Sequence, residues 1–150
     1  MNKNEFENFL HEQIPVTKAM EFNVTEFSSS EVRISAKLES NKNHHLTAFG
    51  GSISCLMTVA GWALIFANTW EIDPDADVVI AKSNIKYLKP IKEDFVAECT
   101  LNENERIKLQ EMYNKNGKAF VCIKVYCYAE GILSAEFEGE YAAFKHKDDK

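Results

Sequence analysis

The sequence is short of proline, with 3 in 150 residues, and of glycine, with 6. That excludes collagen-like and Pro/Gly-rich low-complexity chains, which need far more of both. Basic residues are also in deficit, 17 Lys and Arg against 23 Asp and Glu, for a net charge of −6. A nucleic-acid backbone is excluded as the main partner, because neutralising phosphates needs a basic footprint. A small anionic ligand held by a few local lysines is not excluded. The four cysteines, Cys55, Cys99, Cys122 and Cys127, contain no CxxC pair and no zinc-like pairing with histidine. No metal or other cofactor is expected. All four lie in apolar or strand-like patterns and read as buried, reduced thiols of a cytoplasmic protein. The N-terminal stretch lacks an uninterrupted apolar run, so a secretory signal is not expected. Repeats and linkers are absent, and the length suits a single domain over residues 1–150.

What is present is a clear alternation of periods. Phe6, Phe9, Leu10 and Gln13 recur at helical spacing and Pro15 closes the run, which predicts a helix over Lys3–Gln13. A second short turn covers Val16–Met20. Val32, Ile34, Ala36 and Leu38 alternate with Arg33, Ser35 and Lys37, the mark of a half-buried strand. That strand pairs with the preceding segment through the turn Ser28–Ser30. Further strands are predicted over Val78–Pro90, Asp94–Leu101, Lys118–Glu130 and Leu133–Tyr141. In the last, Ser134, Glu136, Glu138 and Glu140 form the solvent face. Glu103–Asn116 reads as a helix ended by Gly117, with a hairpin turn at Asn116–Gly117 as the alternative. The tail from Lys145 is expected to fray. Strands gathered around one long helix give an α+β domain with an antiparallel sheet.

The long helix is the segment without charge, Thr47–Trp70. Its length would allow a membrane span. Against that, it holds Ser52, Ser54, Thr58, Gly61 and Asn68 and lacks basic flanks. A buried central helix fits better. Ser54, Thr58 and Gly61 fall on one small, polar stripe, read either as close packing or as a cleft wall. Gly50-Gly51-Ser52 opens the helix. Amides of a first turn have no helical acceptor and carry the positive end of the dipole. They suit an oxyanion developing on a carbonyl. The loop leading in carries Asn41, Asn43, His44 and His45, and its asparagines can donate to the same oxygen.

The stretch Asn43–Ile65, NHHLTAFGGSISCLMTVAGWALI, is similar to the pattern of the thioesterase-like family typified by the C-terminal domain of YiiD. Val78–Cys99, VVIAKSNIKYLKPIKEDFVAEC, matches the two strands that follow. The resemblance implies a hot-dog fold, in which a curved antiparallel sheet wraps a long central helix. It implies hydrolysis of an acyl-CoA or acyl-carrier-protein thioester. Asn43 then falls beside the thioester carbonyl, and Gly50 and Gly51 supply amides that polarise it. Thr58 stands where a better-characterised branch places a catalytic Asp or Glu, and Phe49 where that branch has His. His44, His45, Phe49, Ser54 and Tyr87 are the expected substrate-binding residues. A threonine is a poor base at neutral pH, so a non-catalytic acyl-binding protein stays open. A hydroxyacyl dehydratase is disfavoured by the lack of an acid between Gly50 and Trp70.

Spacing adds a constraint of its own. Gly50 and Thr58 are separated by about 12 Å of helix, too far for one carbonyl to meet both. A homodimer with sites shared between copies follows, with a dimer of dimers as a further possibility. Lys82, Lys86 and Lys89 are candidates for CoA phosphates, although a charged solvent face is the better reading of each.

Overall fold

The computed structural model describes residues 1–148. Helix α1 (Lys3–Gln13) begins at a capping box, in which Asn2 accepts from the Glu5 amide and Glu5 accepts from the Asn2 amide. Its Phe6 and Leu10 are buried. A four-residue turn, α2 (Val16–Ala19), leads into β1 (Asn23–Phe27) and β2 (Glu31–Ala36), joined through the Ser28–Ser30 bend. Helix α3 (Gly50–Trp70) follows, then β3 (Asp77–Tyr87), β4 (Phe95–Thr100), α4 (Glu103–Asn116), β5 (Lys118–Ala129) and β6 (Ile132–Phe144). Gly117 ends α4 at φ 70°, the left-handed conformation that glycine adopts without steric cost. The helical reading of this segment therefore holds, and the hairpin alternative does not.

The six strands form one antiparallel sheet in the order β1-β2-β4-β5-β6-β3. Its curve wraps α3, of which fourteen residues are buried. Leu56, Ala60, Ala63 and Leu64 meet Ile34, Ala97, Val125 and Phe137 within a single core. This is the hot-dog arrangement. Helix α3 is long and apolar enough to cross a membrane, yet most of it is buried inside the protein. Its lack of charge is what a helix enclosed by a sheet requires.

Four expectations need correction. The stripe Ser54–Thr58–Gly61 is not one surface: Ser54 and Thr58 are half-exposed, whereas Gly61 is buried beneath Tyr141. Ser134 is buried rather than solvent-facing, because the ladder slips between Cys127 and Tyr128 and reverses the parity of β6. Cys122 is exposed, on the outer face of β5, while Cys55 is half-buried and Cys99 and Cys127 are buried. The tail does not fray at once: the Lys145 amide donates to the Gly117 carbonyl at 3.2 Å and His146 contacts Asp77 at 2.9 Å. Residues 149 and 150, the rest of that expectation, lie outside the described residues.

β3 matters most for the site. It is a sheet edge, paired only to β6 among the described residues. Two hydrogen bonds lay it along α3 in the opposite direction. The Trp62 indole N–H donates to the Val78 carbonyl at 2.9 Å, and the Tyr87 hydroxyl donates to the Gly50 carbonyl at 3.0 Å.

Candidate active site at the start of the central helix

The loop before α3 is held by Asn41, which the sequence offers as a donor to the substrate carbonyl. Asn41 is buried, at 3% exposure, and its amide donates to the Met20 and Lys37 carbonyls, both at 2.7 Å. Both its amide hydrogens are spent on backbone, so it does not serve as the carbonyl donor considered above. Its backbone carbonyl accepts from the Phe49 amide at 2.7 Å. Asn41 thereby fixes where the helix begins. An asparagine in a polar loop gave no sign of this, because burial there comes from α2 and β2 closing over it.

Asn43 organises the loop tip. Its Oδ1 accepts from the amides of His45 (2.9 Å) and Thr47 (3.2 Å), and its Nδ2 lies 3.0 Å from Thr47 Oγ1. This is an Asx-type turn. One Nδ2 hydrogen is engaged with Thr47, and the other has no partner among the described residues. Leu46 sits in the left-handed region at φ 64° and is 66% exposed. The His44 and His45 rings lie 3.9 Å apart, on exposed residues.

Phe49 is the N-cap, with no side-chain oxygen to cap the helix. Its carbonyl accepts from Ser52 and Ile53, and the amides of Gly50 and Gly51 have no acceptor among the described residues. The Phe49 ring lies over Gly51, where a Cβ would approach it to 2.5 Å. Glycine at 51 therefore lets an aromatic ring rest on bare backbone beside two free donors. A cleft of about 340 Å³ opens next to them, lined by Thr47, Gly50, Ile53, Tyr87, Lys89 and Ile91 among others.

On α3, the half-exposed residues Ser54, Cys55, Thr58 and Trp62 continue from Gly51 as one strip beside β3. No hydrogen bond engages the Ser54 or Thr58 hydroxyl among the described residues. Thr69, on the same helix, does bond back to the Ile65 carbonyl at 3.1 Å. The Thr58 carbonyl, by contrast, accepts from the buried Tyr141 hydroxyl at 2.8 Å. Burial pushes the Cys55 thiol above its usual range, which keeps it protonated and unreactive.

The structure therefore brings Asn43, Phe49, Gly50, Gly51 and Tyr87 to one end of α3 and sets Thr58 two turns away. Lys82 and Lys86 stand opposite Glu140 and Glu136 on the outer face of the sheet, while Lys89 lines the cleft. A larger hollow of about 640 Å³ lies over the outer face, but Glu98, Glu105 and Glu138 line it and would repel an anionic ligand. No group of three His, Cys, Asp or Glu among the described residues is placed to hold a metal.

The model of a family described as "Putative thioesterase (yiiD_Cterm)" matches residues 3–145. A "putative thioesterase" from Shewanella oneidensis is 30% identical, with a TM-score of 0.84 over 95% of this chain and 96% of its own. A protein of unknown function from Chlorobaculum tepidum is 25% identical, with a TM-score of 0.88 over 96% and 94%. A "probable thioesterase" from Pseudomonas aeruginosa shares the fold at 21% identity, with a TM-score of 0.82 over 95% and 96%.

Proposed function

We propose that this chain, which belongs to the family described as "Putative thioesterase (yiiD_Cterm)", hydrolyses the thioester of an acyl-CoA or an acyl carrier protein. The observation that carries this is the pair of unengaged amides at Gly50 and Gly51, beside a cleft and at the positive end of a 21-residue helix. They receive the oxyanion as water adds to the carbonyl carbon. The free Nδ2 hydrogen of Asn43 is a third donor. The C–S bond then breaks, the oxygen of water stays with the acyl group, and the leaving thiolate takes up the proton that the water loses. The Thr58 hydroxyl orients the water without acting as its base. Lys89 meets a phosphate of the carrier, and His44 and His45 flank its path.

The working unit is a homodimer. Gly50 and Thr58 sit on one unbroken helix, about 12 Å apart, so the amides of one copy serve with Thr58 of the other. The open flank of the protein supports such pairing: Leu46, Phe49, Ile80, Tyr87 and Leu88, on the loop before α3 and along β3, are all large, apolar and exposed. An antiparallel pair that sets Gly50 opposite Thr58 places the twofold axis near Ser54. Four unpaired thiols fit a cytoplasmic setting.

One observation favours a second reading, an acyl-thioester-binding protein without turnover. The strip Ser54–Trp62 presents no carboxylate or imidazole. Release of free thiol from a panel of acyl-CoA esters separates the two. Steady release supports the hydrolase, and saturable binding without release supports the binding protein.

A further inference from the structure

The exposed strip on α3 has a definite end. Gly51, Ser54, Cys55, Thr58 and Trp62 are open or half-open, but the next residues on that side, Ile65 and Phe66, are 1% and 6% exposed. What closes it is aromatic. The Trp62 indole stacks on Phe66 with centroids 5.1 Å apart at 21°, and lies 6.2 Å from Phe6 of α1. Phe6 in turn stacks on Phe27 of β1 at 4.0 Å. The indole is also tied to β3 by its bond to the Val78 carbonyl. A ring fixed by two neighbours and a hydrogen bond is a wall, not a flexible gate.

We propose that Trp62 is the floor of the acyl pocket and restricts the substrate to short acyl chains. This rests on the hydrolase reading above, with the carbonyl held between one copy's Gly50 and the other's Thr58. Trp62 is one turn beyond Thr58, roughly 6 Å along the axis, which an extended alkyl chain fills with about four or five methylenes. On the β3 side, Ile80 and Ile85 share the inward face with Tyr87 and give that pocket an apolar wall. A pocket with these walls and an end at Trp62 is apolar and short, which suits butyryl- or hexanoyl-sized groups rather than long fatty chains.

The test is kcat/KM for acyl-CoA esters from acetyl to palmitoyl, in the wild type, Trp62→Ala and Trp62→Phe. Each methylene that still fits gains roughly fourfold, so the wild-type profile rises to butyryl or hexanoyl. It then falls by about tenfold or more at decanoyl and beyond, where added apolar surface no longer finds a place. Trp62→Ala moves the optimum outward by about four carbons. Trp62→Phe, which keeps an aromatic ring on Phe66, moves it by one or two and guards against poor folding of the alanine variant. A purely structural tryptophan would lower activity on all chains alike and leave the optimum in place. That outcome, or a wild type equally fast on palmitoyl-CoA, overturns this inference while leaving the hydrolase reading intact. A wild type that releases thiol from no ester overturns both.

Discussion

Replacing Gly50 by proline removes one amide hydrogen from the site and little else. Three features make the backbone ready for it. Gly50 is the first residue of α3, where proline is well accepted. Phe49 before it has φ −64° and ψ 132°, the extended conformation that a residue preceding proline prefers. A Cβ at Gly50 has room, its nearest neighbours being Tyr87 atoms at 3.6 Å. The lost N–H has no acceptor in the folded protein, so no hydrogen bond is forfeited. Stability should hold or rise by about 0.4–1 kcal/mol, since proline restricts the unfolded chain. Catalysis should suffer: loss of one preorganised donor to an oxyanion costs about 10²–10³ in kcat, or roughly 3–4 kcal/mol. Urea unfolding gives the first quantity and thiol release from the preferred ester gives the second. Gly50→Ala, which keeps the amide, is the control and should stay near wild type. An active, well-folded Gly50→Pro enzyme would refute the amide's role. Equal losses in the alanine and proline variants would assign the effect to space, not to the donor.

Gly61→Ala should destabilise the fold by about 1–4 kcal/mol in chemical denaturation, from overpacking and a displaced buried hydroxyl. Its Cβ would lie 2.7 Å from Tyr141 Cζ and 2.9 Å from Cε2. This outweighs the roughly 1 kcal/mol that alanine gains over glycine in a helix, and a neutral or stabilising result would contradict the packing. Asp94 accepts from the Leu38 amide at 2.8 Å and pairs with Lys37 at 3.3 Å, contacts that hold its carboxyl below the usual carboxylate range. A depressed carboxylate stabilises above its unfolded value near 3.9 and loses that contribution as pH falls through the folded value. Thermal melts should therefore show Asp94→Asn less stable than wild type at neutral pH, with the gap closing as pH falls below the ordinary carboxylate value and through the folded one; a constant gap would contradict the assignment.

The sequence was most legible where periodicity and local chemistry agree. Helix α1 has its apolar stripe and its Asn2–Glu5 cap, and α4 has Asn102 and Gly117 at its ends. The uncharged run became the central helix because nothing in it needed solvent. What stayed hidden depends on long-range partners. Periodicity says that β3 is a strand, but not that it crosses to the far edge beside β6 and leaves an open flank. Alternation placed Ser134 outside, and only the slipped register puts it inside. The same stripe of α3 carries both a half-exposed Thr58 and a buried Gly61, since the Tyr141 ring arrives from β6 over Gly61. Asn43, Gly50 and Gly51 are singled out by motif and helix-end chemistry alone. Asn41 and Trp62 were missed as positioning groups, because their significance lies in what closes around them.

The central claim is that each site is built from two copies of the chain. Gly50→Pro and Thr58→Val are purified separately, each inactive, then unfolded together and refolded as a mixture. Half the dimers are then mixed, and each mixed dimer holds one site with Gly50 from one copy and Thr58 from the other, both unaltered. Thiol-release activity per subunit should then return to roughly a quarter of the wild-type value. A fully refolded mixture no more active than its parents would contradict it.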